Sequence, residues 1–301
     1  MRSPRWLLAL LVLVLVALPA TGGGPAAATP PGLLVEILDV GQGDAILITS
    51  PTGKRVLVDS GPPEAGARLA AALEKRGIEA LDLAVLTHPH TDHAGGFRAA
   101  FRQAPPKLFL DPGLAHTAPA YRQLLRDLAK RKVPVRDARA GRTIDLGGGA
   151  KAEILWPPER PPKRLDINDR SVVMRVSLGE VAFLLTGDIG ARTEALLLRD
   201  GAERLASRVL KVAHHGSRHS SSGRFLAAVG AAEAPISVGA GNPFGHPTPE
   251  ALSRVGASGA TIRRTDRDGT IAYVTDGRAL SVRSFPEAGA PVVAKGQRRR
   301  R

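Results

Sequence analysis

Two kinds of hydrophobic pattern alternate along this 301-residue chain. Short apolar runs at residues 54–59, 82–87, 172–178, 181–188, 209–213 and 236–238 are rich in Val and other aliphatics. Gly, Pro or polar residues close them, and their length and composition predict buried β-strands. Between the runs, apolar residues recur every three or four positions with charges on the opposite face. That spacing predicts helices at 65–76, 95–103, 118–130, 191–199, 223–229 and 249–255. Asp39 and Asp44 flank a Gly41-Gln42-Gly43 turn between two strands, where they would pin the hairpin. The Pro-rich stretch Trp156-Pro-Pro-Glu-Arg-Pro-Pro162 divides two halves that each contain strands and helices. It reads as a loop inside one domain, because no repeat or long linker accompanies it.

The chemistry concentrates where strands end. The chain has eight histidines, and three of them sit in His88-Pro-His-Thr-Asp-His93, directly after the 82–87 strand. His88 and His90, two apart on extended backbone, can face one side. Asp92 and His93 lie past a bend and can reach a second point, so one loop can feed two neighbouring ions. Asp188 ends the 181–188 strand, where an acid is costly to bury without a cation or hydrogen-bond donors. The alternative is an N-cap for the helix that follows. His214 and His215 repeat the arrangement after the 209–213 run. With no cysteine in the chain, such imidazole and carboxylate ligands suit zinc, and also manganese or iron. Asp59, at the end of 54–59, would orient the histidine loop from behind or cap a strand-to-turn junction. Residues 216–223 offer amides, hydroxyls and Arg218 ahead of a helix, as in a phosphate cradle.

Several motifs in order resemble the metallo-β-lactamase fold, and more closely the group related to the C-terminal hydrolase domain of the competence protein ComEC (Rec2). They are Asp39-Val-Gly-Gln-Gly-Asp-Ala45, Leu57-Val-Asp-Ser-Gly61, Thr87-His-Pro-His-Thr-Asp-His-Ala-Gly-Gly96, Asn168 with Ser171, Leu184-Leu-Thr-Gly-Asp188, Lys211-Val-Ala-His-His-Gly-Ser217 and Gly245-His-Pro-Thr-Pro249. The resemblance implies an α/β, four-layer αββα sandwich with two divalent ions, zinc first and manganese second. On that pattern His88 and His90 hold one ion, Asp92 and His93 the other, and Asp188 bridges. One His of the 214/215 pair completes the second ion; His214 is preferred, leaving His215 to contact substrate, with the reverse open. Asp92, His215 and His246 are the expected catalytic residues, and Asn168, Ser171 and Ser217 the expected substrate contacts. A further histidine that many superfamily members supply has no match in context, since only His116 lies in the interval. The first ion is therefore short of protein ligands.

Composition adds compartment and partner. Arg2 and Arg5 precede an uncharged apolar stretch at 6–19 and small residues to Ala28. This is the pattern of a secretory signal peptide, with an N-terminal membrane anchor as the alternative. The expected organisation is residues 1–30 for signal and linker, 31–285 for the hydrolase domain, and 286–301 for a disordered basic tail. A net charge of +14 from 42 Lys and Arg against 28 Asp and Glu favours polyanions such as DNA or an anionic envelope surface. It also excludes no one of them. Aromatics make up only 4% of the chain, and no stacking platform for bases is visible. The expected function is export followed by metal-dependent hydrolysis of phosphodiesters, DNA foremost. A small phosphocholine-type ester or a non-catalytic nucleic-acid-binding role are the alternatives. No counterpart of the ComEC membrane channel is seen, so DNA transport is not expected of this chain.

Overall fold

The computed structural model describes residues 32–286. The segments expected to be a signal peptide and, past Pro286, a basic tail lie outside the described residues. The strands are β1 (Leu33–Ile37), β2 (Ile46–Thr49), β3 (Arg55–Val58), β4 (Leu83–Val85), β5 (Phe109–Asp111), β6 (Val135–Asp137), β7 (Thr143–Gly147), β8 (Ala150–Trp156), β9 (Val173–Leu178), β10 (Val181–Leu185), β11 (Val209–Lys211), β12 (Glu233–Ile236), β13 (Thr261–Arg264), β14 (Thr270–Thr275) and β15 (Leu280–Phe285). The helices are α1 (Gly66–Lys75), α2 (Thr91–Ala94), α3 (Phe97–Gln103), α4 (Pro119–Lys130), α5 (Ala191–Gly201), α6 (Gly223–Val229), α7 (Pro249–Ala257) and α8 (Thr265–Asp268). One sheet runs β15-β14-β1-β2-β3-β4-β5-β6 and the other β13-β12-β11-β10-β9-β8-β7.

Both faces of the central strands are covered, which is why they read as unbroken apolar runs. In β3, Val56 and Val58 face the space between the sheets while Leu57 packs under the helices. β10 splits in the same way, with Val181, Phe183 and Leu185 inward and Leu184 outward. Helices α1, α3 and α4 cover the first sheet through Leu69, Phe97, Phe101 and Leu124. The second is covered by α5, α6 and α7 through Leu197, Phe225 and Val255. The layers are thus helix, sheet, sheet, helix, as expected. Each fully buried Leu or Phe contributes about 1.5–3 kcal/mol to holding them together.

Parallel pairing sets the site. β3 to β6 run parallel, as do β10 to β13. Their carboxyl ends release Asp59, the His88 loop, Asp188, the His214–His215 pair and Ser237 at one edge of the sandwich, the usual place for a site in such sheets. The strand expected at 236–238 instead ends at Ile236. Past that point the ladder is abandoned: Val238 N donates to Thr265 Oγ1, and Ser237 turns its carbonyl to His215.

Candidate metal centre

Asp92, His93, Asp188 and His215 present one donor atom each, all within 4.8 Å of one another. His93 Nε2 is 3.3 Å from Asp188 Oδ2, and His215 Nε2 is 3.5 Å from the same oxygen and 3.4 Å from Asp92 Oδ2. His88 Nε2 lies 3.8 Å from Asp188 Oδ2 and 3.1 Å from His90 Nδ1. One oxygen of Asp188 is thus within 3.8 Å of His88, His93 and His215. Asp188 is not a helix N-cap, since Gly190 holds that position before α5. His93 Nε2, His215 Nε2 and Asp188 Oδ1 are buried and have no hydrogen-bond partner among the described residues. Three such orphans on neighbouring residues are expensive in a folded protein unless something binds them.

The electrostatics agree. Burial alone would raise the Asp188 carboxyl, yet the His215 and His93 rings hold it well below its ordinary value. Burial would lower both rings, but Asp188, with Asp59 beside His93 and Asp44 beside His215, pulls them well above theirs. The carboxylates thus demand positive charge, which a divalent cation held by these residues would supply in place of protons. His88 goes the other way. Buried, and next to His93, it is held well below the ordinary imidazole range and stays neutral, as a ligand must.

The imidazoles are fixed from behind. Asp59 accepts from His93 Nδ1 at 2.8 Å and from Thr87 through its amide and hydroxyl, both at 2.7 Å. Asp59 thus occupies the Nδ1 side of His93, and Nε2 is left facing the centre. His215 Nδ1 donates to Ser237 O at 2.9 Å and lies 3.3 Å from Asp44 Oδ1. Asp44 does more than pin its hairpin, because Lys211, fully buried on β11, places Nζ 2.9 Å from its other oxygen. Burial would raise Asp44, but Lys211 and His215 bring it down to about 2. The turn bearing Asp44 packs on the backbone of Asp92, and only glycine fits at Gly43: φ is +137° and a Cβ would collide with Asp92 O.

Backbone geometry distinguishes the paired histidines. His214 and His215 both adopt left-handed φ, 51° and 54°, and so does Asp59 at 58°. Such residues cost about 1–3 kcal/mol each and cluster where a side chain must be aimed. The turn buries His215 among the donors and leaves His214 at the mouth, 3.8 Å from Asp188 Oδ2 and 3.5 Å from Asn168 Nδ2. The structure thus brings His215, not the preferred His214, into the four-donor set.

A cavity of about 380 Å³ opens over the centre, and His90, Asp92, Asn168, Asp188, His214, His215 and His246 line it. Burial, then His214 and His215, push His246 down to about 4. Ser171 and Ser217 do not line the cavity. Ser171 Oγ accepts from Asp188 N, and buried Ser217 Oγ accepts from His219 N. The 216–223 segment is not an open phosphate cradle either. The amides of Ser221 and Ser222 already donate to the Glu194 carboxylate, and the Arg254 guanidinium binds the carbonyls of Arg218, Ser220 and Ser221. Sequence reasoning missed Gln42, His116 and Phe244 at the cavity, and Lys211 behind it. A lone lysine inside an apolar strand was the available signal for Lys211.

Comparison with known proteins adds kinship. The model of the metallo-beta-lactamase superfamily matches residues 38–239. Competence protein ComA of Neisseria gonorrhoeae is 33% identical over 240 residues, covering 79% of this chain and 32% of that protein. ComE operon protein 3 of Bacillus subtilis (strain 168) is 26% identical over 269 residues, covering 84% and 34%. The chain therefore spans about a third of the length of these curated relatives. Among solved structures, CmlA, a diiron β-hydroxylase from Streptomyces venezuelae, aligns with a TM-score of 0.53 at 17% identity, over 78% of this chain and 53% of that one. That is a likeness of fold.

Proposed function

The chain belongs to the metallo-β-lactamase superfamily, and on that premise we propose that it is an exported, dinuclear metal-dependent phosphodiesterase that acts on DNA. The observation that carries the reading is the convergence of Asp92, His93, Asp188 and His215 within 4.8 Å, with His93 Nε2 and His215 Nε2 buried and without hydrogen-bond partners among the described residues. Asp92, His93 and His215 would hold one ion, His88 and His90 the other, and Asp188 would be shared. Zinc is the expected metal, with manganese second. Ions bound there supply a hydroxide at neutral pH and offset charge on the phosphoryl oxygens.

The chain's own groups do the rest. Asp59 and Ser237 O occupy the Nδ1 sides of His93 and His215, so both rings keep Nε2 directed inward. Asn168, His214 and His246 face the cavity and would hydrogen-bond the substrate's oxygens, with His246 beside the leaving group. Ser171 acts indirectly, by holding the Asp188 backbone. This exchanges the roles first expected for His214 and His215. Relatives named for competence favour DNA as the phosphodiester, and the apolar stretch at 6–19 behind Arg2 and Arg5 favours export.

The test is DNA cleavage by purified protein supplied with Zn²⁺ or Mn²⁺. Wild type should cut, while Asp92→Ala and Asp188→Ala should each lose at least ~100-fold in rate. A wild type that cuts no DNA with any divalent metal would overturn the assignment.

A further inference from the structure

Phe244 stands 62% exposed at the mouth of the cavity, and no other large apolar side chain among the described residues is exposed. Its ring stacks on His246, with centroids 6.0 Å apart and planes at 29°. The pair is held out deliberately. Asn242 Oδ1 accepts from the amides of Phe244 and His246, and its Nδ2 donates to the carbonyls of Gly239 and His246. Four hydrogen bonds from one side chain thus fix the turn that presents the ring. A rigid aromatic facing water beside a reaction centre forgoes hydrophobic burial in the free protein and regains it when a flat partner covers it.

Resting on the phosphodiesterase reading above, we infer that Phe244, backed by His246, is the stacking seat for a nucleobase adjoining the scissile phosphate, and so determines preference for nucleic acid over other phosphodiesters. The ring borders the same cavity as Asp188 and His215, so a base on it and a phosphate at the centre can belong to one nucleotide unit. A nucleobase fits better than a quaternary ammonium headgroup. A cation of that kind is recognised by a cage of several aromatic rings, whereas here one phenyl ring stands among imidazoles in a chain of net charge +14. The small share of aromatic residues hid this feature, because one placed ring suffices for one base.

Binding tests this without relying on cleavage. The probes are a fluorescein-labelled thymidine oligonucleotide with uncleavable phosphorothioate linkages and the same backbone carrying abasic residues, followed by anisotropy on metal-loaded protein. Wild type should bind the base-bearing strand roughly tenfold more tightly. Phe244→Ala should reduce that preference to within about twofold, and Phe244→Trp should retain it. Equal or no binding of the two strands by wild type would overturn the inference, as would a preference that survives in Phe244→Ala. So would displacement of the oligonucleotide by phosphocholine that depends on Phe244. A wild type that prefers bases yet cuts nothing would sink the proposed hydrolysis and leave the seat standing.

Discussion

A lysine ammonium with no solvent exposure is among the costliest groups a strand can bury, and Lys211 is held by the Asp44 carboxylate at 2.9 Å and the Val212 carbonyl at 3.0 Å. The pair ties the β11 exit to the turn bearing Asp44, and through Asp44 to His215. Lys211→Met should therefore lower stability by about 3–5 kcal/mol in urea unfolding, since it strips a buried carboxylate of its ammonium partner. Adding Asp44→Asn should recover part of that loss. A Lys211→Met effect below about 1 kcal/mol would show that the pair is not structural. At this scale the sequence was legible where density spoke: three histidines and an acid in six positions mark His88, His90, Asp92 and His93. The order of His214 and His215 was not legible, because strand periodicity assumes extended backbone and both residues sit at left-handed φ. Asp44 looked like a turn former because its partner lies 167 positions away in a different sheet.

Among the elements, Glu194 on α5 decides how the 216–223 segment is held. Its carboxylate takes the amides of Ser221 and Ser222, so the place where a phosphate was expected is filled by the protein's own anion. Burial outweighs those hydrogen bonds and raises Glu194 above its ordinary 4.5. The sign follows: a carboxyl raised on folding stabilises most below its unfolded value, and that contribution is lost as pH rises through the folded one. The stability difference between wild type and Glu194→Gln should accordingly shift against wild type as pH climbs above 4.5. Parallel pH profiles in thermal or urea unfolding would refute this. The helices were readable because amphipathic spacing survives without neighbours: the observed α3, α4, α6 and α7 start within two residues of expectation. β5 to β8 and β13 to β15 were not named. β5 and β6 span three residues each, and β7 and β15 are half-exposed edge strands whose polar residues weaken the apolar signal.

For the whole molecule, the sandwich has one function for the site: it brings the exits of β3, β4, β10, β11 and β12, from both sheets, to a common edge. The motifs and their order along the chain made that architecture legible through their resemblance to the metallo-β-lactamase fold, which implies it. Gln42, His116 and Phe244 were not legible as cavity residues, because their positions come from how loops of both halves meet. The central claim is that Asp188 is shared by two ions. Metal content, measured by mass spectrometry after equilibrating the folded protein with Zn²⁺ or Mn²⁺ and removing unbound metal, tests it most directly. Wild type should retain about two ions per chain, and Asp188→Ala, shown to be folded by circular dichroism, should retain fewer than about one. Wild type that retains no metal, or Asp188→Ala that retains as much as wild type, would contradict the claim.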